Sequence, residues 1–226
     1  MNTRISLAAG LGLLVAATAS ADMTGNVTQN GYAWSGEDFG GAAASGYVVD
    51  LYMEFDSDDD ILLNVYNFND VNLGTAYAQG MTAPGWAPNE QGGIFTTGVS
   101  QSFDSFIAIG GVTADDGSGN PLQMSGNGTA VDPNFGGNNA DGPAANGGWY
   151  NGAPTNPIGQ AVDGMVFIGR FSISGSDGFS MEGSTGWATF NQGLGTPGVQ
   201  MEFTVVPAPG ALALLGLAGL AGRRRR

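Results

Sequence analysis

The sequence predicts an all-β protein, a single β-sandwich or jelly-roll-like domain flanked by an N-terminal signal peptide and a short C-terminal hydrophobic helix. Three observations lead there. Apolar residues recur with a period of two along short runs, and no run in the body carries a 3.6-residue apolar stripe. Glycine, at 40 of 226 residues, is the commonest residue and clusters between those runs as turn punctuation. Aromatic residues still make up 10 %, enough to furnish a core, which separates the body from a flexible linker. About 185 residues lie between the two ends, the size of one ordinary domain.

Residues 1–21 read as the signal peptide. Arg4 gives a positive start, Leu7 to Ala17 an apolar run, and Ala19-Ser20-Ala21 the small residues after which a signal peptidase cuts. The β-body then spans 22–206. Val49, Leu51, Met53 and Phe55 alternate with Asp50, Tyr52 and Glu54, and Ile61 to Phe68 forms a second apolar strand. Asp56-Ser57-Asp58-Asp59-Asp60 lies between them, so the two are expected to form a hairpin. Phe103 to Ile109 is a further strand that stops at Gly110-Gly111. Met165, Phe167, Phe171 and Ile173 are expected on one face of a strand, with Val166, Ile168 and Arg170 on the other. Gly178–Glu182 and Trp187–Phe190 suggest shorter strands, and Val199, Met201, Phe203 and Val205 alternate with Gln200, Glu202 and Thr204. Between 115 and 160 the pattern fades into an irregular Gly/Asn-rich loop, where Trp149 and Tyr150 suggest that the segment packs back on the body.

Residues 207–226 form a second sorting signal. Pro207-Ala208-Pro209 ends the acidic body, Ala211 to Gly222 has no polar side chain, and Arg223, Arg224, Arg225 and Arg226 close the chain. Arginines beside an apolar helix stay on the cytoplasmic side of a membrane, so the body lies outside. At helical rise the apolar run covers roughly 18 Å, against roughly 30 Å of hydrocarbon. Such a transmembrane helix suits a transient stop for a processing enzyme better than a permanent anchor. These residues resemble the PEP-CTERM sorting signal of Gram-negative bacteria, with Ala208 where an acidic residue is usual. The resemblance implies transient insertion in the inner membrane and tail removal by an exosortase-like enzyme. Leu62–Asn67, Phe103–Gly110, Gly147–Tyr150 and Phe167–Phe171 are similar to segments of secreted PEP-CTERM proteins of planctomycete-like bacteria. That likeness implies a class and a location, not a reaction.

Charge narrows the function. The basic residues are Arg4, Arg170 and the four terminal arginines, so Arg170 is the one base against 20 carboxylates between residues 22 and 222. Such a body repels nucleic acid and anionic lipid. The chain has no histidine and no cysteine, and its body no lysine, which removes the common nucleophile–base arrangements and the preferred zinc ligands. Carboxylate chemistry remains. Glu54 and Glu182 are candidates for a glycan hydrolase pair, against the plainer reading of solvated strand-face charges. Asp56, Asp58 and Asp60 form an oxygen-rich loop that is a candidate calcium site, against the plainer reading of an acidic tip that blocks edge pairing. No cofactor other than Ca²⁺ is suggested. Trp86, Trp149 and Tyr150, in Gly- or Pro-rich stretches, are candidate carbohydrate contacts, whereas Trp34 and Trp187 read as core. Arg170 is expected in a structural ion pair. The sum is an exported, non-enzymatic protein of the cell surface or extracellular matrix with a structural or adhesive role. The alternatives are a carbohydrate-binding module or a carboxylate-dependent hydrolase. Partners expected are signal peptidase, the exosortase-like enzyme and extracellular polysaccharide, with no nucleic acid.

Overall fold

The computed structural model describes residues 23–37, 43–73, 75, 77–78, 103–110, 114–115, 121–122, 129–131, 146–152 and 157–207. The expected signal peptide, Trp86 and the expected sorting signal beyond Pro207 lie outside the described residues. The chain is all-β. Its strands are β1 (Met23–Glu37), β2 (Ala43–Phe55), β3 (Asp60–Asn69), β4 (Phe106–Ile107), β5 (Ala114–Asp115), β6 (Pro121–Leu122), β7 (Thr129–Val131), β8 (Gly147–Asn151), β9 (Met165–Ser174), β10 (Thr185–Gln192) and β11 (Gly198–Pro207). A 3₁₀ turn at Pro157–Gly159 is the helical element among the described residues. None of their helices is long and apolar enough to cross a membrane.

Nine strands form one sheet in the order β4-β9-β2-β1-β11-β10-β3-β8-β7, while β5 and β6 pair apart from it. All main pairings are antiparallel except β1 with β11. The sheet curls until its edges nearly meet. Beyond β4, the Ile109 N–H donates to Thr129 Oγ1 at the start of β7 (2.9 Å), and the Trp149 indole N–H donates to the Ala108 carbonyl (3.1 Å). One core fills the interior. Phe68 of β3 lies 6.0 Å from Phe171 of β9, and Phe55 of β2 lies 5.5 Å from Phe190 of β10. These strands are far apart in sheet order, so the rings meet across the interior rather than along the sheet. Burying each such side chain contributes about 1.5–3 kcal/mol.

The alternating runs build the walls as expected. Val49, Leu51, Met53 and Phe55 face the core from β2, and Phe203 and Val205 from β11. Two runs keep their strands but break phase. On β3, Asn67 adopts φ 51°, and this bulge lets Val65 and Phe68, three apart, both point inward. On β9 the register with β2 slips between Leu51 and Tyr52. Val166 and Ile168 therefore share the core face with Phe171, and Phe167 turns outward with Arg170 beside Phe106. The face expected for this strand is corrected accordingly.

Other expectations are also overturned. β2 and β3 do not pair, so the acidic segment between them is not a hairpin turn. It carries the chain from the β9-β2-β1 wall to the β10-β3-β8 wall. A hairpin would have put both apolar runs side by side; separating them lets Phe55 and Phe68 pack against rings of the opposite wall. Gly178–Glu182 is irregular and enters a turn at Glu182, with no strand, and strand geometry in the Phe103 run is confined to Phe106–Ile107. β1 has no counterpart among the strands expected from sequence.

Candidate functional site

The two outer faces of the sheet differ. On the β9-β2-β1 wall the chain covers itself. Arg170 stands directly opposite Asp50 on β2, with Phe106 of β4 on its other side. The guanidinium forms a two-pronged bond, Nε to Asp50 Oδ1 at 2.7 Å and Nη2 to Oδ2 at 3.0 Å. The Phe106 ring lies 5.5 Å from its carbon. The Tyr32 hydroxyl donates to the same carboxylate at 3.4 Å. Both charged side chains have 0 % exposure. Burial works against the arginine's charge, but the adjacent Asp50 carboxylate more than offsets it and holds the pKa above its usual value. Burial, with the Asp50 charge, likewise pushes the Tyr52 phenol well above its ordinary range, against a smaller opposing effect of Arg170. The ion pair expected of Arg170 is present, and it is buried.

Further up this wall Phe103 stacks on Trp34 with centroids 4.6 Å apart. Gly46 makes room for it, since a β-carbon there would come within 2.2 Å of the Phe103 ring. Ala78 N–H donates to the Ser172 carbonyl, and Ser172 N–H to Ser105 Oγ, which ties the cover to β9.

The opposite wall, β10-β3-β8, presents aromatic rings to solvent. Trp187 of β10 stands directly across from Tyr66 of β3, with ring centroids 6.5 Å apart and planes 29° apart. Tyr150 of β8 pairs with Asn64, two residues along β3 from Tyr66. Trp187 is 39 % and Tyr150 43 % exposed. Polar residues surround the rings. Glu202 pairs with Trp187, and Gln200 with Thr189. The Asn64 side-chain oxygen accepts from the Thr189 N–H at 3.0 Å, holding the bulge between these strands.

Two of the four tryptophans, Trp149 and Trp187, have exchanged the places expected from sequence. Trp149 is not a surface contact: at 1 % exposure it lies in the core against Phe68, its indole N–H bound to Ala108. The Gly/Asn-rich sequence around it concealed a strand that seals the sheet. Trp187, read as core, lies outside. The signal was available, because Gly186, Ala188 and Phe190 are the buried phase of β10 and leave Trp187 on the opposite face. Gly186 is small because Phe203 packs over it. Tyr150 is exposed as a contact residue must be.

The acidic segment does not gather its carboxylates. Asp58 Oδ1 accepts from the Gly164 N–H at 2.7 Å, and Asp60 has 0 % exposure while Asp56 and Asp58 are exposed. Among the described residues no three acidic groups converge as a metal site would need. Asp58 instead pins the crossover to the turn at Asp163-Gly164. Glu54 lies on β2 and Glu182 in the exposed turn before β10, a strand that is not a neighbour of β2. Of the sorting residues, Pro207 ends β11 opposite Gln29; Ala208, Pro209 and Arg223 to Arg226 lie outside the described residues.

A different carboxylate is held inside. Asp70, after β3, accepts from the Tyr77 hydroxyl at 2.6 Å and from the Asn72 N–H at 2.7 Å. Burial raises its pKa although both hydrogen bonds oppose the shift. Tyr77 and Met181 pack beneath it in the core cluster, and Asn72 ties the loop to the Ser180 carbonyl. Comparison with protein-family models, curated proteins and solved structures finds no match to this chain.

Proposed function

We propose that the chain is an exported, non-enzymatic protein of the cell surface or extracellular matrix, with a structural or adhesive role, whose C-terminal signal is removed by an exosortase-like enzyme. One observation carries most of the support. The sole base between the two sorting ends is consumed in a buried ion pair with Asp50, so the described surface offers carboxylates and no cation. A surface of that kind stays soluble outside a cell and avoids nucleic acid and anionic membranes. The finer fold we propose is a sandwich: β4-β9-β2-β1 and β11-β10-β3-β8-β7 as facing walls across the Phe68–Phe171 contact, joined through the parallel β1–β11 pair. Within the same reading, the aromatic row on the outer face favours carbohydrate binding over hydrolysis, because Glu54 and Glu182 occupy separate strands and turns.

The test is cell fractionation of the tagged protein with and without residues 207–226, with mass spectrometry of the mature ends. The expected result is cleavage after Ala21 and near Pro207–Pro209, with the body at the surface or in the medium. Truncation of the tail would change its retention. A body found in the cytoplasm with both ends intact would overturn the proposal.

A further inference from the structure

We infer that the outer face of β10-β3-β8 is a glycan-binding platform, on which Trp187, Tyr66 and Tyr150 take the apolar faces of uncharged sugar units. The proposal rests on the exported reading only for where the glycan is met.

Geometry supplies the first support. The three rings occupy three adjacent strands, and sheet spacing sets neighbouring strands about 4.8 Å apart. Trp187 and Tyr66 are directly opposed with planes within 29°, and Tyr150 continues the row one strand on, diagonal to Tyr66. A polymer lying across the strands meets one ring per strand. Gly148 lets β8 approach β3 closely beside these rings, since a β-carbon there would come within 3.1 Å of the Val65 carbonyl and 3.3 Å of Tyr66.

Contrast supplies the second. On the opposite wall, Trp34 and Arg170 are capped by the chain's own Phe103 and Phe106. Among the described residues no ring caps Trp187 or Tyr150 in this way, and they are 39 % and 43 % exposed, although burying an aromatic ring is among the most favourable contacts a fold can make.

Chemistry selects the occupant. A sugar unit presents C–H groups on one face and hydroxyls around its rim. It therefore needs an aromatic surface ringed by hydrogen-bonding groups, which Thr189, Asn64, Gln200 and Glu202 provide beside these rings. An anionic polysaccharide is disfavoured, because the body's only base is buried with Asp50 and Glu202 sits next to Trp187. A protein partner of matching character would need a broader apolar centre than this row between polar positions.

The test uses the full-length protein in co-sedimentation with cellulose and chitin, and in affinity electrophoresis with soluble β-glucan, xylan and, as the anionic contrast, alginate. The expected result is retention by at least one neutral polysaccharide and none by alginate. Trp187→Ala and Tyr150→Ala each weaken it about 3- to 10-fold, one ring's stacking expressed as affinity, while Leu194→Ala, exposed elsewhere, leaves it unchanged. Thermal melting checks each variant. Should Trp187→Ala fail to fold, Tyr150→Ala and quenching of tryptophan fluorescence by soluble glycan carry the test. Three outcomes overturn the proposal: no neutral polysaccharide retained, retention equal in the ring variants, or a dimer in sedimentation velocity that Trp187→Ala dissolves. Failure here with correct export leaves the surface role standing; binding by a protein that stays in the cytoplasm does the reverse.

Discussion

At the scale of single residues, the Asp50–Arg170 pair shows how one charge can be legible while its setting is not. That Arg170 would pair with a carboxylate followed from its being alone among acids. Its complete burial did not, because the covering ring, Phe106, comes from a distant segment and the bulge on β9 turns Arg170 away from the core. Burial raises the stakes. Removing one partner strands a charge without solvent, which costs about 3–5 kcal/mol. Arg170→Met is expected to destabilise the domain by about that amount in urea unfolding. Replacing both partners, as Asp50→Leu with Arg170→Met, is expected to recover most of the loss, since an apolar pair of similar volume needs no solvation. If the double variant is as unstable as the single, the pair acts through its geometry instead, with the Tyr32 hydroxyl bond as the part that cannot be replaced.

At the scale of elements, apolar runs located β2, β3, β9, β10 and β11: β10 and β11 alternate in burial, whereas β9 is buried on both faces from Val166 to Ser172 and shows itself by its apolar content. β1 escaped notice for a physical reason. It contributes one core residue, Val27, while Tyr32 and Trp34 are only half-buried on the other face. Between Val27 and Tyr32 stand Thr28, Gln29, Asn30 and Gly31, which carry no apolar pattern. Its place is set by pairing with β2 and β11, information that exists only in the assembled sheet. The β2–β3 hairpin failed similarly: adjacency in sequence suggested pairing, but each run found its partners elsewhere. The loop after β3 adds a titratable device that no spacing reveals. Asp70 is buried, so its folded pKa lies above the ordinary carboxyl value of 3.8. The folded state therefore keeps this proton to a higher pH than the unfolded chain. Its favourable contribution is complete below 3.8 and is lost as pH rises through the folded value. Urea unfolding of wild type and Asp70→Asn across that window is expected to show wild type gaining on the variant as pH falls. A difference independent of pH would mean that Asp70 ionises as freely folded as unfolded.

At the scale of the whole molecule, the decisive property is that the sheet nearly closes. No local pattern encodes closure, since it depends on β4 and β7 meeting after the chain has passed through both walls. The Gly/Asn-rich sequence between 115 and 160 is where the seam is made, and its low apolar content hid both β8 and the burial of Trp149. Closure matters because the outer edges of β4 and β7, short as they are, would otherwise each offer unpaired backbone groups as a template for pairing with another chain. Among the described residues two hydrogen bonds fasten the seam, Ile109 N–H to Thr129 Oγ1 and Trp149 Nε1–H to the Ala108 carbonyl. Thr129→Val keeps the side chain's shape and removes the acceptor, leaving the Ile109 N–H without that bond. The expected cost is about 1–3 kcal/mol of global stability. Its local signature is faster amide hydrogen exchange at Ile109 and at neighbouring residues of the seam, in excess of the change that the global loss brings to β1 and β2 on the far side of the sheet. Thr129→Ser retains the hydroxyl and is expected to behave as wild type. Equal loss in both variants would assign Thr129 to packing, and the closure of the sheet would then depend on Trp149 and its bond to Ala108.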